Sequence, residues 1–343
     1  MSDLVVDIHA HYVPNLVFER FAACRSSFPS VRMFDEKAAN GARAVRFQFP
    51  GGEPTRPVIA PLSELVERKR AMDTEGIDHA VLSLWTDLEG YELDASEGVA
   101  WSRFINACLH EELASEERFT ALASVPLQDG PAAAAVLEEA LAQGFGGAMI
   151  GTLPHGAQGG NLDAPSLDPF WSTASRLGAA IYLHPMFLCN EPRLADYDLI
   201  NTVGRLADTS IAIGRLLASG HLLKYSGMNL ILSHGGAALP YALGRFRRTY
   251  EAAGKKYADP QAGFARLYYD SCVYDSAALE FLVARAGAEK VMLGTDSPMS
   301  IAEMHPVALV ADARLKAGER TAILGANAKR VFRLRPGCDC HRG

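Results

Sequence analysis

The chain has 343 residues, 49% of them hydrophobic and 21% charged, which is enough apolar material for a sizeable core in two small domains or one large α/β unit. Its net charge of −7 is dispersed, apart from a short basic cluster at Arg245-Phe246-Arg247-Arg248, so the electrostatic footprint of a nucleic-acid-binding protein is absent. No apolar run approaches a membrane span, and no basic segment leads into an apolar one near Met1, which together lead us to expect a cytoplasmic protein without membrane partners.

The first apolar run, Val5-Val6-Asp7-Ile8, reads as a short buried strand ending in His9-Ala10-His11. Two histidines spaced by two project from one face of an extended chain, a geometry suited to metal binding. Residues 12–62 keep no period for long and carry Phe28-Pro29, Asn40-Gly41 and Pro50-Gly51-Gly52, so they read as an inserted subdomain with a hairpin near 43–59. Ser63 is expected to cap a helix running from Glu64 to Met72. A unit of apolar run, polar turn and amphipathic helix then repeats. The runs are His79–Leu84, Phe119–Val125, Gly147–Gly151, Ala180–His184, Asn229–His234, Leu267–Ser271 and Lys290–Asp296. With the first run they make eight, continuous rather than alternating, as strands covered on both faces should be. A single (β/α)8 TIM barrel over residues 1–334 is the fold they predict, with a doubly wound sheet as runner-up; the latter is weakened because no Gly-x-Gly-x-x-Gly follows a strand.

The six cysteines, Cys24, Cys108, Cys189, Cys272, Cys338 and Cys340, show no framework spacing and fit reduced thiols. Cys338-Asp339-Cys340-His341 holds metal-ligand residue types, but it lies beyond the last helix, and residues 335–343 read as a disordered tail.

In a parallel barrel the catalytic side chains come from the C-terminal ends of different strands, all open on one face. Those ends carry His9 and His11 on the first strand, His184 on the fifth, His234 on the sixth and Asp296 on the eighth. Each alone has a bland reading: a hydrogen-bonded structural histidine, or an aspartate capping the next helix. Five together make the bland readings a poor explanation and point to a functional site, with the His9 and His11 pair suited to a metal. His79 begins a strand, His110 falls in a helix, and His155, His221 and His305 fall in loops, so they are left out.

The motifs Asp7-Ile8-His9-Ala10-His11, Leu183-His184-Pro185, Leu232-Ser233-His234-Gly235-Gly236 and Leu293-Gly294-Thr295-Asp296-Ser297-Pro298 resemble those of the amidohydrolase superfamily. Within it, the chain resembles the branch containing aminocarboxymuconate-semialdehyde decarboxylase. The likeness takes in Met72-Asp73, Gly76-Ile77, Gly244-Arg245-Phe246 and Tyr269-Asp270, and spans the chain apart from residues 12–62 and the tail. It implies a mononuclear Zn²⁺ site, Mn²⁺ being the second choice of ion, with His9, His11, His184 and Asp296 as ligands and one position for water. His234 would be the general acid/base beside it, with Asp296 also taking part in catalysis. Gly151-Thr152 falls where two-metal members carry a bridging lysine, so a second metal is not expected.

The resemblance also implies two arginine anchors for an acidic substrate. One comes from the segment after the first strand, where Arg46 is the choice and Arg43 the reserve. The other is Arg245, reaching into the neighbouring subunit of a homodimer. The implied reaction is non-oxidative decarboxylation of an aromatic or unsaturated, muconate-semialdehyde-like acid. The alternative is zinc-dependent hydrolysis, for example of a carbon–carbon bond in a ring-cleavage product. A barrel that only binds a ligand is disfavoured by the five intact polar positions. Ser297-Pro298 stands where an aromatic-Pro is usual, and Met186-Phe187 follows Pro185 where Trp is usual, so these positions are expected to line the pocket. Phe47, Phe49 and Pro50 read equally as a lid over an aromatic substrate or as the insertion's own core.

Overall fold

A computed structural model describes residues 4–37, 43–186 and 191–334. The opening strand, β1 (Val6–Tyr12), is buried along its whole length. An antiparallel hairpin follows, β2 (Arg32–Lys37) and β3 (Arg43–Gln48). Then come β4 (His79–Leu84), β5 (Phe119–Ala123), β6 (Gly147–Gly151), β7 (Ala180–His184), β8 (Asn229–Leu232), β9 (Tyr268–Asp270) and β10 (Val291–Met292). These seven join β1 in one parallel sheet whose order in space is their order in sequence. The order never reverses, which excludes the doubly wound sheet, and helices cross between successive strands as parallel pairing requires. The sheet closes on itself through the segment after β10: Ile8 N–H donates to the Leu293 carbonyl at 2.9 Å and His11 N–H to the Ser297 carbonyl at 2.8 Å. The fold is a (β/α)8 barrel.

Inward side chains fill the N-terminal half of the barrel. Val6, Ile8, Val81, Leu122, Met149 and Ile231 pack there, against Val331 and Phe332 from the end of the chain's last described helix. β1 carries one extra residue against β4: Val6 pairs with His79, yet Ala10 pairs with Leu82. Val6 and Ile8 therefore belong to the interior cluster, whereas Ala10 and Tyr12 belong to the layer under the helices. A bulge of this kind swaps the faces of a strand, and here it leaves His9 and His11 to the barrel mouth.

The insertion is built on Trp101 of the helix Ala95–Leu113. Phe28, Phe47 and Phe49 lie 5.2, 5.8 and 5.5 Å from its ring. All three are buried, so Phe47 and Phe49 form the insertion's own core rather than a lid. The hairpin expected near 43–59 instead pairs β3 with β2, and Val58 adds only a bridge to Val45. Most of β2 is charged and exposed, which hides it from an apolar-run reading.

Ser63 does not cap the next helix. It ends a short turn at Ala60–Ser63, Glu64 takes the N-cap position of Leu65–Glu75, and the Ser63 carbonyl instead accepts from Asn15 Nδ2 at 2.8 Å. Four strands are shorter than expected, β5 and β9 by two residues each and β8 and β10 ahead of the left-handed backbone at His234 (φ 52°) and Asp296 (φ 64°). Cys24, Cys108 and Cys272 are free thiols. No helix among the described residues is long and apolar enough to cross a membrane. The expected tail at 335–343, with Cys338 and Cys340, lies outside the described residues, as does Phe187.

Candidate active site

Three imidazoles and one carboxylate meet at the C-terminal mouth of the barrel. His9 and His11 stand near the end of β1 and His184 is the last residue of β7. Asp296 follows β10, and its N–H donates to the His9 carbonyl at 2.8 Å. Its Oδ1 is 3.3 Å from His9 Nε2 and 3.1 Å from His11 Nε2. One ligating atom from each of His9, His11, His184 and Asp296 lies within 4.8 Å of every other, and all four residues are buried.

Each imidazole uses its other nitrogen as a donor. His9 Nδ1 donates to Asp270 Oδ2 at 2.7 Å, His11 Nδ1 to the Leu84 carbonyl at 3.3 Å, and His184 Nδ1 to the Pro185 carbonyl at 2.9 Å. With Nδ1 protonated, the Nε2 lone pairs are left for the centre. Those of His9 and His184 are buried and have no hydrogen-bond partner among the described residues. A polar atom left in that state costs about 1–3 kcal/mol. A cation at the centre would satisfy both, and three nitrogens with one carboxylate oxygen suit a borderline divalent ion.

Electrostatics point the same way. Burial alone would raise the Asp296 carboxyl, but His9, His11 and His234 outweigh it and hold the group well below the usual carboxylate range. Burial and the surrounding imidazoles push His184 well below its ordinary value, so it is a neutral ligand. Burial opposes charge on His9, and the Asp296 and Asp270 carboxylates overcome it, making this a spot where positive charge, proton or metal, is favoured. Cys272 is no rival ligand, because burial pushes its thiol up to about 12.

His234 stands beside the cluster without belonging to it. Its Nε2 is 3.6 Å from Asp296 Oδ2, its ring is 5.1 Å from that of His9, and its buried Nδ1 has no hydrogen-bond partner among the described residues. Arg68, a buried arginine that sequence reasoning missed, donates to the His11 carbonyl at 2.5 Å and to Ser297 Oγ at 3.4 Å. Only its place on a helix facing the barrel could have flagged it.

The family model described as Amidohydrolase matches residues 6–334. The chain belongs to the amidohydrolase family. It is 28% identical over 277 residues to 2-amino-3-carboxymuconate-6-semialdehyde decarboxylase of Dictyostelium discoideum, covering 78% of this chain and 76% of that one. It is 28% identical over 285 residues to gamma-resorcylate decarboxylase of a Rhizobium species, covering 78% and 86%. Among solved structures, dihydroxybenzoic acid decarboxylase of a Polaromonas species, with bound manganese and the inhibitor 2-nitroresorcinol, superposes with a TM-score of 0.75 at 22% identity over 98% of both chains.

Gly151, the last residue of β6, sits in a tightly packed spot. A Cβ there would lie 2.5 Å from Met186 Sδ and 2.9 Å from Tyr91 Cε2, so a side chain at this position would have to displace both. The arginines expected to anchor substrate have these surroundings. Arg46 lies in β3 and donates to the Thr55 carbonyl at 3.1 Å; Arg43 pairs with Asp35 at 2.8 Å; Arg245 is exposed on the helix Leu239–Ala252. Among the described residues no hydrogen bond or ion pair joins Arg46 or Arg245 to the ligand cluster. Arg205, which sequence reasoning missed, is buried at the start of the helix Arg205–Ala218. It donates from Nη1 to the carbonyl of Pro185, the residue after His184, at 3.4 Å, and from Nε to Asn201 Oδ1 at 3.1 Å. Burial lowers its basicity, and of the charges around it Asp296 does most to restore it, with Asp87 adding to that and Arg56 opposing it.

Proposed function

We propose that this amidohydrolase is a zinc-dependent non-oxidative decarboxylase of an aromatic or unsaturated carboxylic acid. The observation that carries the reading is the convergence of His9, His11, His184 and Asp296 beside the His234 imidazole. The decarboxylases among its relatives supply the reaction class. The donor set favours zinc, with manganese, the ion of the Polaromonas structure, as second choice. When bound, the ion supplies Lewis acidity that holds and polarises substrate oxygens.

The chain's own residues do the rest. His234 delivers a proton to the carbon that bears the carboxylate. The bond to the carboxylate then breaks, its electron pair stays with the organic fragment, and carbon dioxide leaves. One carboxylate and one proton thus become carbon dioxide and a C–H bond, with no oxidant required. An acid entering this mouth needs a cation to hold its charge, and Arg205 is our assignment, since its guanidinium is fixed next to the His184 turn. Arg245, exposed on its helix about one turn after the exposed Tyr241, is assigned to the partner's site in a homodimer, a reading that rests on the family likeness.

Zinc-loaded protein should be incubated with hydroxybenzoates and ring-cleavage semialdehydes in ¹⁸O-labelled water. Carbon dioxide released with no label in the organic product is the expected result. Labelled carboxylate without carbon dioxide would identify a hydrolase and overturn the proposal.

A further inference from the structure

β9 contributes no ligand to the cluster, yet its last residue is hydrogen-bonded both to a ligand and to the backbone of His234. Asp270 is fully buried, and its two carboxylate oxygens accept five hydrogen bonds. Oδ2 takes His9 Nδ1 at 2.7 Å, the Tyr182 hydroxyl at 2.8 Å and His234 N–H at 3.0 Å. Oδ1 takes Gly235 N–H at 2.8 Å and Cys272 N–H at 3.2 Å. A metal ligand and the backbone of the proton-carrying histidine therefore hang on one side chain.

Both attachments are needed for physical reasons. His9 can offer Nε2 to a metal only if its proton stays on Nδ1, and a carboxylate at 2.7 Å holds it there. His234 sits at φ 52°, a conformation that costs a non-glycine residue of order 1 kcal/mol or more, so something must hold the turn. The next two residues are pressed onto β9 and the segment that follows it: a Cβ on Gly235 would lie 2.5 Å from Val273 Cγ1, and one on Gly236 would lie 2.6 Å from Tyr269 Cε1. Two N–H bonds to Asp270 fix the turn against that strand.

We propose that Asp270 is a positioning residue that sets the tautomer of His9 and the placement of His234 together, so that metal affinity and proton delivery depend on one carboxylate. The proton-delivery half rests on the decarboxylase reading; the metal half does not. Asp270→Asn keeps the shape but removes the negative charge and turns one acceptor into a donor, facing either His9, Tyr182 and His234 or the two backbone amides of Gly235 and Cys272.

The test compares wild type and Asp270→Asn. Zn²⁺ affinity is measured by competition with a chromophoric chelator, and kcat and KM are measured at full zinc occupancy. The expected result is an affinity loss of about 10–100-fold, together with a fall in kcat of at least about tenfold at full occupancy with KM little changed. A purely structural role would lower thermal stability and leave both affinity and kcat where they were, and either quantity unchanged overturns the coupling. If the variant does not fold, histidine-labelled, zinc-loaded wild type still decides by ¹⁵N NMR. His9 should show a downfield, exchange-protected proton on Nδ1 and metal on Nε2, whereas a proton on Nε2 refutes the proposal. A wild type that binds zinc but releases no carbon dioxide would sink the decarboxylase reading and leave the affinity and NMR results standing.

Discussion

At the scale of single residues, His234 and Arg205 make separable predictions. His234 lies 3.6 Å from Asp296 Oδ2 and edge-on to the His9 and His184 rings, and in the proposed reaction it carries protons without holding the metal. His234→Gln should lower kcat by about 10²–10⁴-fold, the usual worth of a placed acid/base, while zinc affinity stays within a factor of a few. Affinity falling in step with kcat would make it a ligand instead. Arg205→Met should act on KM, raising it by about tenfold or more while leaving most of kcat, as loss of a charge-assisted contact to substrate does. Arg205→Lys should recover only part of it, because a lysine cannot reproduce the fork that spans Pro185 and Asn201. Equal KM in all three proteins would remove Arg205 from the substrate site.

At the scale of elements, the crossovers put the site where it is, and the shape of each strand end decides what fits. β6 ends in Gly151 because Met186 and Tyr91 already occupy the volume a side chain would need. Gly151→Ala should therefore cost about 1–3 kcal/mol through overpacking, seen as a lower urea midpoint with an unchanged slope. An unaffected midpoint would mean that Met186 moves aside freely. What could be read from sequence follows the same division. His9, His11 and His184 end β-rich apolar runs, which is enough to place them near the mouth, although the face that His9 and His11 present is set by the bulge in β1. The left-handed backbone at His234 and Asp296 and the extra residue in β1 leave no such trace, because they depend on contacts with the Asp270 carboxylate, the His9 carbonyl and β4. Arg68 and Arg205 were passed over for a related reason: a cation on a helix reads as solvated, and only the packed barrel shows that both are buried.

At the scale of the whole molecule, stability should depend on pH through Glu89, which lies in the segment after β4, remote in sequence from every ligand. It is buried; its Oε2 accepts from Ser124 Oγ at 3.0 Å, and its Oε1 has no partner among the described residues. Burial pushes its carboxyl up to about 8, with the nearby Glu92 adding to the shift and the Ser124 hydroxyl opposing it. An unfolded glutamate titrates at about 4.5. Between those values the folded chain holds a proton that the unfolded chain has released, so the unfolded state binds fewer protons and stability falls as pH rises. Below about 4.5 both states are protonated and the group is neutral in effect; above about 8 both are ionised and the loss is complete. Glu89→Gln keeps the shape of the protonated form and cannot ionise. It should be more stable than wild type by an amount that grows from pH 5 to pH 8, of order a few kcal/mol at the upper end, and denaturant melts at both pH values measure it directly. A difference between the two proteins that stays constant across that window would show that Glu89 is not the group responsible.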